Sequence, residues 1–207
     1  MGFLETKCTF SVLTKDLLES CNSFDCGHVD LNDFFTNDSQ DYSSQLLGKS
    51  YCFLLDENPK DIVCAFTISN DSIKTNSLPN SRKKKVNKDI PRIKQFRSYP
   101  AVLIGRLGVN IKFKKNGIGK ELMDFIKSWF IDPENKTGCR FVVVDSYNEE
   151  IPLTYYQRND FQFLFSSEEQ EIKYMDLPVE FELKTRLMYF DLIVLSSSDP
   201  NLKNTQD

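Results

Sequence analysis

The stretch Lys114-Lys115-Asn116-Gly117-Ile118-Gly119 decides how the rest of the chain is read. It follows a run, residues 101–113, that reads as a strand, and it opens a helix-like run over residues 120–130. Glycines at 117 and 119 let the backbone approach a ligand closely, and a helix start presents N–H groups that lack intrahelical partners. The partial positive charge at such a start favours a phosphate or pyrophosphate. A Gly-x-Gly pair alone is a weak signal. Strand, basic loop and amphipathic helix in that order give it weight.

Upstream of the loop, residues 101–104 are continuously apolar, as in a central strand, and Leu107, Val109, Ile111 and Phe113 then alternate with smaller or polar residues. Gly105 and Gly108 within this run predict a bulge or a ligand lying against the backbone. Downstream, Ile118, Leu122, Phe125, Ile126 and Trp129 share one helical face, which makes Trp129 a core residue, and Asp132-Pro133 ends the helix. Residues 139–144 read as a buried strand, 149–158 as a helix carrying Tyr155 and Tyr156, and 161–165 as a further strand. Residues 166–185 are acidic and irregular, 186–195 form a last strand, and 196–207 are a polar, disordered tail.

Nearer the start, Thr14 caps a short helix over 14–20, Phe24-Asp25-Cys26-Gly27 makes a turn, and Asp30 caps a second helix bearing Leu31, Phe34 and Phe35. Residues 50–55 and 62–69 pair as a hairpin across a breaker-rich turn at 56–61. The connection 70–98 is polar, basic and long. The reading is one mixed α/β domain over residues 1–195, with 70–98 as a basic insertion.

The 207 residues, 40% hydrophobic and 27% charged, suit a globular chain with a sizeable core. No apolar run reaches the length of a membrane span, and the first residues lack a signal-peptide pattern, so the cytoplasm is the expected address. Six cysteines form no Cys-x-x-Cys pair and His28 is the only histidine, which argues against a zinc site and against a histidine-based catalytic triad. The net charge of −4 conceals a segregation. Between Arg82 and Arg97 eight cations face one anion, a net of +7, leaving −11 on the remainder. Arg82, Lys83, Lys84, Lys85, Lys88 and Arg92 form a patch suited to a polyanion, with a solvated loop as the alternative.

These residues, in this order, resemble the GNAT superfamily of acetyl-CoA-dependent N-acetyltransferases. The family's Gln/Arg-x-x-Gly-x-Gly/Ala motif appears as Lys114-Lys115-Asn116-Gly117-Ile118-Gly119, with lysine in place of glutamine or arginine. Gly105-Arg106-Leu107-Gly108-Val109 looks like the family's splayed central strand, and Tyr155-Tyr156-Gln157-Arg158-Asn159-Asp160-Phe161 looks like its Phe-Tyr-Glu-Lys-x-Gly-Phe segment, with Asp160 where glycine is usual. The resemblance implies a central twisted mixed sheet with a splayed central strand, flanked by helices. A narrower likeness is to the acetyltransferase toxins of bacterial toxin–antitoxin pairs, carried by Phe24-Asp25-Cys26-Gly27, Leu31-Asn32-Asp33-Phe34-Phe35 and residues 99–109. Such toxins acetylate the α-amine of an aminoacyl-tRNA, and the basic segment suits an RNA backbone, although the acidic net charge fits less well.

The resemblance assigns acetyl-CoA binding to Leu107, Gly108 and Val109 on the strand, to Lys114, Lys115, Asn116, Gly117, Ile118, Gly119 and Lys120 at the loop, and to Asn148. It makes Tyr156 the acid that protonates the departing thiolate. It also implies a small antitoxin partner and a homodimer. No general base stands out from the abundant carboxylates, Asp145 and Glu149 among them. Two other readings stay open: an acetyltransferase of a small-molecule or protein amine, and a binding module that keeps the fold without turnover.

Overall fold

A computed structural model describes residues 2–88, 90–91 and 97–196. A seven-stranded sheet runs in the order β1-β2-β3-β4-β5-β7-β6, with β1 Cys8–Val12, β2 Lys49–Leu55, β3 Asn58–Lys74, β4 Ser98–Val109, β5 Phe141–Tyr147, β6 Gln162–Phe163 and β7 Thr185–Asp191. The sheet is mixed and flanked by helices. Its central strands are apolar on both faces: Ile62, Val63, Cys64, Ala65 and Phe66 of β3 and Phe141, Val142, Val143 and Val144 of β5 are all buried.

The chain forms two compact units, Met1–Ser69 with Ile104–Ser128, and Asn70–Leu103 with Trp129–Asp207. In the first, β1 and β2 pair antiparallel from Cys8↔Leu55 to Val12↔Tyr51, and β2 pairs antiparallel with β3. Register shifts at Phe53, Leu54 and Leu55 compress the hairpin, so β3 begins at Asn58 and the turn shrinks to Asp56-Glu57 rather than spanning 56–61. Helix α1 spans Phe3–Lys7, and α2, Lys15–Ser20, starts at the predicted cap, with Thr14 accepting from the Leu17 N–H. The second predicted helix is α3, Val29–Asp33, with His28 at the N-cap position, without a side-chain cap hydrogen bond, and Asp30 inside the first turn. It continues through a π-turn, Phe34–Asp38, into α4, Ser39–Ser44. The π-turn puts both Phe34 and Phe35 into a core with Leu13, Phe24, Cys26, Cys52 and Ile62.

In the second unit, β5 pairs antiparallel with β7 from Phe141↔Asp191 to Tyr147↔Thr185, and β6 pairs with β7. Much of the predicted 70–98 connection is ordered: β3 runs on to Lys74, a 3₁₀ turn follows at Thr75–Ser77, and α5 spans Asn80–Val86. Buried Leu78 and Val86 fasten that segment to Tyr99, Phe141, Phe165 and Tyr189. The segment expected to be irregular holds α8, Glu168–Tyr174, capped by Ser167, whose Glu171 carboxylate accepts from the Leu187 N–H at 2.6 Å and from Arg186 at 2.8 Å. The last strand stops at Asp191, and α9, Ile193–Ser196, replaces its expected end. The polar tail from 197 lies outside the described residues.

Between β4 and β5 the chain makes α6, Ile118–Ile131. Its buried stripe is Ile118, Leu122, Ile126 and Phe130, with Met123 beside it. Trp129, expected in the core, is only half-buried, because a repeat of four turns Phe130 inward in its place.

Candidate functional site

The loop 114–119 owes its shape to the residue that ends β4. Asn110 is buried; its N–H donates to the Val63 carbonyl at 2.9 Å, its Nδ2 donates to the Ile62 carbonyl at 3.1 Å, and its Oδ1 accepts from the Lys112 N–H at 3.1 Å. The strand therefore stops at Val109, and Ile111–Phe113 turn into a 3₁₀ segment instead of continuing the sheet as the alternation predicted. Lys115 then takes φ +67° and Gly117 φ +78°. Both lie in the left-handed region, free of penalty only for glycine. The Gly117 carbonyl accepts from the Lys120 and Glu121 N–H groups at 3.0 and 3.1 Å, and buried Ile118 pins the first turn of α6. A Cβ added at Gly117 would meet nothing within 4 Å, and the same holds for Gly105. Left-handed backbone, a helix start and open space at Gly117 fit the oxygens of a pyrophosphate.

The lysines of this region divide by their partners. Lys114 Nζ donates to the Cys26 carbonyl at 2.6 Å, and Lys120 pairs with Asp124 at 2.6 Å on the helix surface. Lys115, exposed, makes no hydrogen bond or ion pair to another described side chain. Opposite Lys114 sits the turn Phe24-Asp25-Cys26-Gly27. The Asp25 carboxylate accepts from the Gly27 N–H and from Asn32 Nδ2, both at 2.7 Å, and its carbonyl accepts from the Ile111 N–H at 2.8 Å. The Gly27 N–H first, then Asn32 and the Lys114 charge, hold that carboxyl below its ordinary value. Gly108 of β4 packs on the same turn: a Cβ there would lie 3.0 Å from Cys26 Cβ and 3.3 Å from Phe24 Cζ.

Leu107 and Val109 are half-buried on β4 beside Gly108. Arg106 is exposed; it stacks 5.1 Å over the Phe34 ring and donates to its own strand's Gly105 carbonyl, with no carboxylate partner among the described residues. Sequence reasoning did not find Asp25, Asn32 or Asn110 as loop supports. Their contacts join residues far apart in the chain, and only the Phe-Asp-Cys-Gly turn signal marked the place.

In the other unit, Tyr156 lies on α7, Glu150–Arg158, whose N-cap is Glu149. Its ring meets Phe161 edge-on at 5.4 Å and Tyr155 at 5.1 Å, and Phe161 in turn packs on Phe190 at 5.8 Å. Although Tyr156 keeps some exposure overall, its hydroxyl is desolvated, and burial pushes it well above the ordinary tyrosine value. Asp160 has φ +63°, which gives a backbone reason for the glycine usual at that position. The Asn148 amide donates to the Leu183 carbonyl at 3.0 Å and to Glu168 at 3.3 Å. What this leaves for a ligand is its carbonyl oxygen. Asp145 is exposed within the otherwise buried β5.

The basic segment is not uniform. Arg82 donates through Nε to the Leu164 carbonyl at 2.8 Å and through a terminal nitrogen to Phe163, so its guanidinium is committed to the fold. Lys83 is half-buried, whereas Lys84, Lys85 and Lys88 are exposed. Partial burial, and then the Arg82 charge, lower the Lys85 ammonium. Arg92 and Lys94 lie outside the described residues. Among the described residues no helix is long and apolar enough to cross a membrane, and no group of His, Cys, Asp and Glu side chains is placed to hold a metal.

No sequence-family model matches the chain, and no curated protein does. Solved structures match it. A tyrosine-to-phenylalanine mutant of KacT superposes with a TM-score of 0.67 at 17% identity, over 94% of this chain and 100% of that one. AtaT in complex with acetyl-methionyl-tRNAfMet matches with 0.63 at 19% identity, over 92% and 98%. AtaTR bound with AcCoA matches with 0.63 at 19% identity, over 93% and 98%. The chain thus has the fold of the GNAT toxins KacT and AtaT across nearly its whole length.

Proposed function

We propose that this protein is an N-acetyltransferase that moves the acetyl group of acetyl-CoA onto a primary amine, and that the amine is the α-amine of an aminoacyl-tRNA. The observation that carries the reading is the loop at the start of α6, where left-handed Lys115 and Gly117 leave open space at a helix N-terminus on a fold shared with AtaT and KacT. That solved structures hold AtaTR with AcCoA and AtaT with acetyl-methionyl-tRNAfMet supports the choice of donor and acceptor. Residues 1–195 would act as one acetyltransferase domain.

Acetyl-CoA, when bound, supplies an acetyl group on a thioester sulfur. The backbone N–H groups of residues 115–119 bind its pyrophosphate, Lys115 adds a mobile positive charge, and Asn148 offers an acceptor oxygen. Leu107, Gly108 and Val109 would hold the arm of the molecule along the strand backbone, and the N–H of Val109 or a near neighbour would donate to the oxygen that gains charge in acetyl transfer. Tyr156 holds a proton on its hydroxyl at neutral pH and gives it to the departing sulfur. An esterified α-amine needs little help to be neutral, since its pKa starts near 8 and falls on esterification. Lys84, Lys85 and Lys88 attract the RNA backbone. By the same likeness, a small antitoxin and a second copy of the chain are the protein partners to look for, in the cytoplasm.

The test is incubation with radiolabelled acetyl-CoA and three acceptor sets: charged tRNA, polyamines with aminoglycosides, and a peptide library. Label on the aminoacyl ester supports the tRNA reading. Label on the other acceptors alone redirects it to a small-molecule or protein amine. Acetyl-CoA binding without transfer to any acceptor makes the chain a binding module.

A further inference from the structure

The phosphate loop is tied to one distant turn by four contacts. The Ile111 N–H reaches the Asp25 carbonyl at 2.8 Å, Lys114 Nζ reaches the Cys26 carbonyl at 2.6 Å, Gly108 sits against Cys26, and Ile111 Cγ2 lies 3.2 Å from where a Gly27 Cβ would be. The turn itself is set from within: the Asp25 carboxylate holds the Gly27 N–H, Asn32 Nδ2 braces that carboxylate, and Asn32 Oδ1 accepts from the Cys26 N–H at 2.8 Å. Gly27, at φ +74°, allows the turn its direction. The segment between strand and helix is therefore gripped on its β4 side by Gly108, in its middle by Ile111 and at its end by Lys114.

We propose that Asp25 and Lys114 are positioning residues for the pyrophosphate loop, and that the Lys114 ammonium fixes the loop to the Cys26 carbonyl and does not bind phosphate. The inference rests on the reading of residues 114–119 as a pyrophosphate site. Its physical content is preorganisation: a loop holding Lys115 at positive φ keeps its binding shape at low cost only if its neighbours impose it. Lys114 stands first in the motif, where a cation suggests an anion contact, but its 2.6 Å bond is to a main-chain oxygen of the bracing turn.

The sign of the Asp25 effect separates the two roles. A carboxylate near an anion site repels the anion, so electrostatics alone predicts that Asp25→Ala tightens acetyl-CoA binding. Positioning predicts the reverse. Measured by isothermal titration with acetyl-CoA on the full chain, Asp25→Ala should weaken binding about tenfold, as expected when a preorganised loop is loosened. Asp25→Asn, which keeps an oxygen for the Gly27 N–H, should recover at least half of that loss. Lys114→Met should raise KM for acetyl-CoA with kcat within about twofold, and should leave the salt dependence of binding as in the wild type, because no phosphate contact is removed. Lys114→Arg should restore KM.

Wild-type protein that fails to bind acetyl-CoA overturns this inference together with the proposed function. Wild-type binding, with Asp25→Ala unchanged or tighter, overturns the inference alone. If Asp25→Ala does not fold, Lys114→Met decides: unchanged affinity, or a weaker salt dependence, assigns Lys114 to other work.

Discussion

Arg82 Nε donates to the Leu164 carbonyl at 2.8 Å, across a sequence separation of 82 residues, and thereby moors α5 to the segment that follows β6. The most N-terminal cation of the basic patch is thus a structural tie. Its removal strands main-chain oxygens of Phe163 and Leu164. Arg82→Met should cost about 2 kcal/mol, the worth of hydrogen bonds from a charged donor, and lower Tm by about 4–8 °C for a chain of this size. Neutralising Lys84, Lys85 and Lys88 together should leave Tm nearly unchanged and weaken tRNA binding with a shallower salt dependence. A calorimetric melt and a salt titration check both. Equal melting of the two variants would contradict the division.

Tyr156→Phe removes the hydroxyl and keeps the ring contacts with Tyr155 and Phe161. The expected result is a kcat about 10²-fold lower, with KM for acetyl-CoA little changed. Burial raises the Tyr156 hydroxyl, so its acid form persists below a value higher than the ordinary 10. Activity should therefore show no fall due to this group up to about pH 10. An unchanged kcat in Tyr156→Phe would falsify the assignment, and a falling limb near pH 9 lost in that variant would contradict the raised hydroxyl.

The two glycines of β4 should respond differently. Gly108→Ala places a methyl 3.0 Å from Cys26 Cβ and 3.1 Å from its sulfur, and should destabilise by about 1–3 kcal/mol through overpacking. Gly105→Ala meets nothing within 4 Å, and should melt like the wild type. Thermal denaturation of the two variants side by side is sufficient.

Glu171 is buried without solvent contact, bonded to the Leu187 N–H at 2.6 Å and to the Arg186 Nε at 2.8 Å. Glu171→Ala leaves a buried guanidinium short of a partner and should cost about 3–5 kcal/mol. Arg186 also reaches Glu168, to which Asn148 donates, so the same variant should weaken acetyl-CoA binding through Asn148. Chemical denaturation reads the first effect and titration the second.

Asp25 provides a pH test. Its carboxyl is held below the ordinary 3.8 in the folded protein, so it stabilises the turn above that value, and the gain is lost as pH falls through the lowered one. The stability difference between wild type and Asp25→Asn should be constant from pH 7 to 5 and shrink toward pH 3. A difference that grows on acidification would reverse the sign and the argument.

Periodicity read the strong elements well. The Thr14 cap and the helix at α7 stand where residue pattern placed them, and the hairpin and β5 exist as read with shifted ends, because each is decided by local spacing and capping chemistry. The misses share another cause. Residues 70–98 look like a loop because they are polar, yet two apolar anchors, Leu78 and Val86, together with the Arg82 tie, order α5 against a core built from distant strands. The run that ends β4 alternates correctly to Phe113, but Asn110 stops it with a hydrogen bond to β3 that no local pattern encodes.

What the sequence determined by itself is the kind of fold and the place of the glycine loop that opens α6, since glycine spacing, helix periodicity and apolar runs are local properties. What only the tertiary structure decided is which charges are free. Lys114 and Arg82 look like ligand-seeking cations in the sequence, and each donates to a main-chain oxygen, 88 and 82 residues away respectively. A charge's role depends on what folding brings within three ångströms of it, and that is set by the packing of the whole chain.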